Sequence, residues 1–201
     1  AVKAVQQEYG SRGAYAKRDG ASDPDVLTEN EAQFIATRDS FYMASVGASR
    51  WPYVQHRGGR MGFLRVLGER TIGFADFRGN RQYVSVGNLA DDNRVALFLM
   101  DYPRRARLKL LGRATTVSLS ETPELATALI DQNYGAKVER AILIELEAFD
   151  WNCSQHITER FTLAEIEPAI AVLKSRIAEL EAELASVRVE PCSDDGSRAA
   201  G

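Results

Sequence analysis

Between Phe41 and Val117 the chain is a succession of short β-rich runs, each closed by turn residues. The runs are Phe41–Val46, Pro52–Arg57, Gly62–Leu67, Thr71–Phe77, Gln82–Val86, Val95–Met100 and Leu108–Val117. Gly47-Ala48-Ser49, Gly58-Gly59, Gly68-Glu69, Arg78-Gly79-Asn80 and Asp101-Tyr102-Pro103 separate most of them. Strands at such regular intervals, mostly without helices between them, predict an antiparallel sandwich or barrel. Closure into a barrel would also remove the exposed edges that such a meander otherwise carries.

The flanks have other periods. Residues 1–26 show none and read as an extended or partly ordered arm. Thr28 followed by Glu31 fits a capping box, which predicts a short helix over 29–38. A second helix is expected from Ser120, with Pro123 and Glu124 in its first turn, to about Tyr134-Gly135. Arg140–Asp150 alternates apolar and polar residues and reads as a last strand. Farther on, Ile166, Ile170, Leu173, Ile177, Leu180, Leu184 and Val187 recur at spacings of four and three, the a and d positions of heptads. So narrow a seam either packs on the barrel or pairs with another chain, and a partner helix is favoured. Pro168 fits the first turn of this helix if Glu167 caps it and kinks the helix if Thr162 does. The chain is therefore divided into an arm (1–26), a barrel (27–160), a C-terminal helix (161–190) and a disordered tail (191–201).

With 201 residues, 45% of them apolar, the chain is long enough to bury a sizeable core. No window approaches ~18 uninterrupted apolar residues, so no membrane span is expected. Residues 1–20 are polar, and no secretory signal is visible there. Cys153 and Cys192 are too few for a disulfide framework. A reducing cytoplasm is the simplest location for such a chain.

The formal charge of −3 conceals a split. Residues 50–113 hold 13 basic and 5 acidic residues, whereas the remainder holds 12 and 23. A basic middle in an acidic chain predicts that this stretch meets an anion, either a phosphorylated small molecule or a nucleic acid backbone. Few aromatics suited to base stacking lie in it beyond Trp51 and Tyr53, which argues against nucleic acid.

Catalytic groups are sparse. His56 and His156 are the only histidines, and neither has a carboxylate at metal-ligand spacing. There is no G-x-S-x-G elbow, no P-loop and no strand-to-helix G-x-G-x-x-G. Chemistry in such a chain calls for a bound cofactor. The segments suited to holding one are Gln55-His56-Arg57-Gly58-Gly59-Arg60 and Arg78-Gly79-Asn80-Arg81-Gln82, which set guanidinium groups beside glycines at strand ends. Arg presents planar paired donors that match two phosphate oxygens at once. A third segment, Arg104 to Lys109, places Arg105, Arg107 and Lys109 on one strand face.

Two runs carry a family resemblance. "GFADFRGNRQYVSVGNLADDNRVALFLMDYPRRARLKLLGRATTV" (Gly73–Val117) resembles the FMN-binding split barrel of the pyridoxamine 5′-phosphate oxidase-like family, and "FIATRDSFYMASVGASRWPYVQHRGG" resembles that family's opening helix and first two strands. The similarity spans about Leu27 to Phe149. It implies a mainly β fold with flanking helices, an antiparallel FMN-binding split β-barrel, and a homodimer whose two FMN sites are each built from both chains. Gln55, His56 and Arg57 would then run along the flavin ring and ribityl chain. Ala75 and Asp76 would touch the pyrimidine edge, and Asn80, Arg81 and Gln82 would grip the phosphate. Arg107 and Lys109 would reach the site from the partner chain. Gln82 stands where the family pattern has Lys, so Arg57 or Arg60 would supply the missing charge. The terminal Trp and Arg segment that grips substrate phosphate in the vitamin oxidases is replaced by Phe149 to Ile157 and the heptad helix, so that substrate is not implied. In this setting Trp151 and His156 either cover the flavin or are an aromatic plug and a capped loop.

The resemblance thus implies an FMN-dependent oxidoreductase passing hydride through flavin N5 to or from a small molecule. The alternative is a carrier or sensor that holds flavin or nucleotide without turnover.

Overall fold

Large apolar residues on alternate positions of Phe41–Val46 and Val95–Met100 give each strand one face that water disfavours, and the sheet forms around those faces. In a computed structural model, which describes residues 1–15, 23–151 and 154–188, the strands are β1 (Ser40–Val46), β2 (Pro52–Gly58), β3 (Arg65–Val66), β4 (Thr71–Phe77), β5 (Arg94–Asp101), β6 (Ala106–Val117) and β7 (Val138–Trp151). They form one antiparallel sheet in the order β2-β1-β5-β6-β7-β4-β3. The helices are α1 (Val2–Glu8), α2 (Arg12–Tyr15), α3 (Glu29–Ala36), α4 (Val84–Asp91), α5 (Pro123–Leu129) and α6 (Leu163–Arg188).

The sheet curls around Phe41, Met43, Ile72, Phe74, Leu97, Leu99, Leu108, Leu110, Ile142 and Ile144, all essentially inaccessible to water. Each such side chain contributes about 2 kcal/mol by leaving water. Ile35 on α3 closes one end of this core. The capping box is present: Glu31 Oε2 accepts from the Thr28 N–H at 2.9 Å and from the Thr28 hydroxyl. At the other end of α3, Arg38 donates to the Met100 carbonyl at 2.8 Å and to Asp101 at 2.7 Å, which anchors the helix to the end of β5.

Several elements depart from the sequence expectation. Gln82–Val86 is not a strand; the chain turns at Tyr83, in the left-handed region at φ 52°, and enters α4. The β-branched composition of this run suggests extension, but its buried positions, Ser85 and Leu89, are one helical turn apart. Asn88 of α4 donates to Ser45 at 3.0 Å, and its amide occupies the space that a side chain at Gly47 would need. The expected strand Gly62–Leu67 shrinks to β3, because Gly62 takes φ 75° and its N–H donates to the Arg38 carbonyl. The second helix ends at Leu129 rather than near Tyr134, since Ile130 is already extended. Residues 1–15, read as an arm without period, carry α1 and α2, neither of which buries a residue.

Full closure does not occur either. Both β2 and β3 remain sheet edges, so the barrel is split rather than continuous. Across the opening a side-chain ion pair, Arg57 with Asp76, joins β2 to β4.

The chain divides into two units, Ala1–Thr158 and Glu159–Gly201. In the second, Thr162 rather than Glu167 caps α6: its hydroxyl accepts from the Glu165 N–H at 3.3 Å while Glu165 accepts from the Thr162 N–H at 2.8 Å. Pro168 therefore lies inside the helix. The tail read as disordered, and Cys153 and Cys192, lie outside the described residues. Among the described residues no helix is long and apolar enough to cross a membrane.

Candidate functional site

A cleft of about 280 Å³ opens where β2 approaches β4 and the β4–α4 loop. β2 contributes Gln55, His56 and Arg57; β4 contributes Phe74, Ala75, Asp76 and Phe77. Gly79, Asn80, Arg81 and Tyr83 come from the loop, with Arg78 at its start. The sequence placed Gln55, His56, Arg57, Ala75, Asp76, Asn80 and Arg81 at one site, and all seven line this cleft.

Its base is an ion cluster. Arg57 Nη1 donates to Asp76 Oδ1 at 2.6 Å, and Arg140 Nε stands 3.6 Å from Asp76 Oδ2. Burial pushes the Asp76 carboxyl above its ordinary range, against the opposing pull of Arg57 and Arg140. The Arg57 guanidinium also lies 5.8 Å from the centre of the Phe74 ring. Beside this cluster, Glu139 accepts from Arg78 Nε at 3.0 Å, from the Tyr83 hydroxyl at 3.2 Å and from Arg140 Nη2 at 3.0 Å. The Arg78 hydrogen bond leads in holding Glu139 below the usual carboxylate range. The Ser85 hydroxyl donates to Gln55 Oε1 at 2.8 Å and fixes that amide on the cleft wall.

The loop is built from unusual backbone. Gly79, Arg81 and Tyr83 all have positive φ (48°, 63° and 52°), and the Gln82 N–H donates to Asn80 Oδ1 at 3.2 Å. Left-handed non-glycine residues are uncommon and gather where a binding loop is held by its surroundings. Here Glu139 provides that hold through Arg78 and Tyr83.

Gln82 lies outside the cleft of its own chain, and so do Arg107 and Lys109, which the resemblance assigns to the partner's site. Gln82 is exposed and does not line the cleft. Arg107 stacks on Phe98, 5.3 Å from its ring centre, and Lys109 pairs with Asp150 at 3.2 Å across the β6–β7 ladder. Both belong to the sheet's outer face, where Lys109 borders an apolar patch made by Tyr42, Val54, Phe98 and Leu111. Of the two arginines offered as extra charge, Arg57 is in the cleft, whereas Arg60 faces Asp131 at 3.4 Å and lines a separate cavity of about 30 Å³.

Trp151 is an aromatic plug. Its indole donates to Glu31 Oε1 at 2.8 Å and meets the Phe34 ring edge-on at 4.8 Å. His156 sits in an exposed turn at φ 64°. Glu139, Arg140, Tyr83 and Ser85 escaped the sequence reading. The one available signal was adjacency: Glu139 and Arg140 begin the strand paired with Asp76 and Phe77, and β-pairing cannot be read from spacing alone.

The cleft suits a phosphorylated aromatic cofactor. Among the described residues, the buried Nε of Arg57 has no hydrogen-bond partner, which leaves a donor for an acceptor on a ligand. Phe74 and Ala75 give an apolar strip beside it, and Arg81 and Asn80 stand exposed at the rim.

Fold and cleft together define the class, a split antiparallel β-barrel with a cationic pocket at its seam. The chain belongs to the pyridoxamine 5′-phosphate oxidase family, whose family model matches residues 27–169. Among solved structures, an FMN-binding protein from Syntrophomonas wolfei subsp. wolfei is 12% identical with a TM-score of 0.49, covering 76% of this chain and 97% of that one. Group A Streptococcus HupZ is 12% identical with a TM-score of 0.48, covering 67% and 100%. A Clostridium acetobutylicum protein related to general stress protein 26 of B. subtilis, of the pyridoxinephosphate oxidase family, is 14% identical with a TM-score of 0.45, covering 68% and 94%. A comparison with curated proteins finds no match.

Proposed function

We propose that this protein binds FMN in the seam cleft and acts as an oxidoreductase on a small molecule. The observation that carries the reading is the Arg57–Asp76 pair, which closes the seam while leaving a buried Arg57 N–H aimed at no protein acceptor among the described residues. Asn80 and Arg81, with Gln82 behind them, hold the phosphate in this reading. Gln55, His56 and Arg57 line one side of the ring, and Ala75 and Asp76 line the other. Bound FMN would supply the electron transfer that these side chains lack. Arg57 places positive charge beside the ring, and Asp76 fixes the orientation of that guanidinium.

The family reading extends to a homodimer. In this reading a second copy covers the exposed patch of Tyr42, Val54, Phe98 and Leu111, and Arg107 and Lys109 beside that patch serve the second copy's site.

One feature of the cleft favours a carrier or sensor as a second reading. Both oxygens of Asp76 face arginines and the Tyr83 hydroxyl donates to Glu139, so these acids are tied to protein partners rather than turned to a substrate. Titration of the purified protein with FMN, followed by the flavin absorbance, tests the binding. A saturating spectral change with micromolar or tighter affinity supports it, and no change overturns it. Rapid-mixing reduction of the loaded protein by NADPH, NADH or a reduced deazaflavin then separates enzyme from carrier.

A further inference from the structure

The long helix α6 has no use in the cleft reading, yet its sequence is specified closely. From Ile170 to Val187 its apolar seam is exposed: Leu173 by 64%, Ile177 by 55% and Leu184 by 55%. Among the described residues of its own unit nothing covers this stripe. A helix that packs on a globular body widens its apolar face to the e or g positions. Here those positions hold Lys174 and Glu181 (e) and Arg176 and Glu183 (g), so the stripe stays a strict a/d seam. That geometry fits another helix, not a sheet face.

We propose that α6 pairs with α6 of a second copy of this chain as a parallel, two-stranded coiled coil. The a positions are Ile170, Ile177 and Leu184, and the d positions are Leu173, Leu180 and Val187. β-branched Ile at the first two a positions with Leu at the first two d positions favours two parallel strands over three or four. The charges agree. In a parallel pair each g position faces the e position of the next heptad on the other helix, which sets Arg176 against Glu181 of the second copy. Within one chain Arg176 meets its own Glu179, at 2.9 Å on the helix surface, and that exposed contact is readily exchanged. Pairing begins after Pro168, whose ring removes one helical hydrogen bond, and runs about 26 Å to Val187.

The pairing is independent of the flavin reading and is measured on the full chain with no cofactor added. In a background with Cys153→Ser and Cys192→Ser, Ile177→Cys and Leu184→Cys place thiols at a positions, and Glu179→Cys places one on the outer face. Under mild oxidation the two a-position variants are expected to give about tenfold more covalent dimer than Glu179→Cys, because only they meet disulfide geometry. Equal yields for all three, or none, overturn the proposal. Efficient cross-linking only between mixed Ile177→Cys and Leu180→Cys chains shows an antiparallel pair and overturns it too. A charge swap gives a second reading: Arg176→Glu lowers the yield in the Ile177→Cys background, and adding Glu181→Arg restores it. Failure of that restoration also counts against parallel pairing.

Discussion

Arg57 on β2 and Asp76 on β4 meet at 2.6 Å, although β2 lies at one end of the seven-strand order and β4 next to the other. A charge pair thus closes what backbone hydrogen bonds leave open. Both side chains are largely buried, 13% and 6% exposed, so neither charge is easily left alone. Asp76→Asn is expected to strand Arg57 and Arg140 in a poorly solvated site and to cost about 3 kcal/mol. Urea denaturation checks this; an unchanged midpoint would show that the seam does not depend on the pair.

The loop residues Asn80 and Arg81 are exposed and hold no core contact, so their removal should spare the fold. Arg81→Ala is expected to weaken FMN binding by about 10- to 100-fold, the loss of one charged phosphate contact, while leaving riboflavin affinity unchanged. Fluorescence titration with both ligands makes the comparison. Equal losses for both would place the phosphate elsewhere.

Val54 and Leu111 are 60% and 51% exposed on the outer face of the sheet. In a chain whose α6 seam is also broken by Ile177→Lys and Leu180→Lys, Val54→Lys with Leu111→Glu should convert a dimer to a monomer in sedimentation velocity at micromolar concentration. FMN affinity should fall with it if the second chain completes the site. A dimer unaffected by both changes places the interface on another surface.

Glu31 supplies the pH dependence. Burial alone would raise its pKa, but hydrogen bonds from the Thr28 hydroxyl, the Trp151 indole and the Thr28 N–H bring it from 4.5 to about 2. A carboxyl whose folded pKa is depressed stabilises the fold fully above its unfolded pKa and loses that contribution as pH falls. The window is therefore from about 4.5 down to about 2, and the amount at stake is about 3 kcal/mol. Thermal unfolding measured across this range should flatten in Glu31→Gln, at lower stability overall. A parallel slope in both proteins would exclude Glu31 as the source.

At Gly112 the β6–β7 register shifts, and a side chain there would lie 2.5 Å from the Glu145 carbonyl oxygen. Since backbone cannot yield as a flexible side chain does, Gly112→Ala is expected to cost at least ~2 kcal/mol. Gly135→Ala, which meets nothing within 4 Å, serves as the control and should change stability little.

Much of this arrangement was legible beforehand, for a definable reason. Thr71–Phe77 was read with the bounds of β4, and the Thr28–Glu31 capping box was read with its helix, because both depend on neighbours in the chain. The two arginine- and glycine-rich segments were also visible as candidates for one site. What was not visible was why they meet. Glu139 and Arg140 are about sixty residues from the loop they restrain, and only the β4–β7 pairing brings them there. Gln82–Val86 shows the opposite error, where β-branched composition suggested a strand and contacts with β1 made it a helix.

Alternation, capping and heptad spacing are local properties, so the amino-acid order alone determined most strands, α3 and the a/d seam of α6. The tertiary structure decided the rest: that the sheet stays open at β2 and β3, that Arg57 and Asp76 bridge its ends, and that Lys109 pairs with Asp150. Those outcomes depend on which distant strands pair and in what register, and that depends on the packing of the whole core.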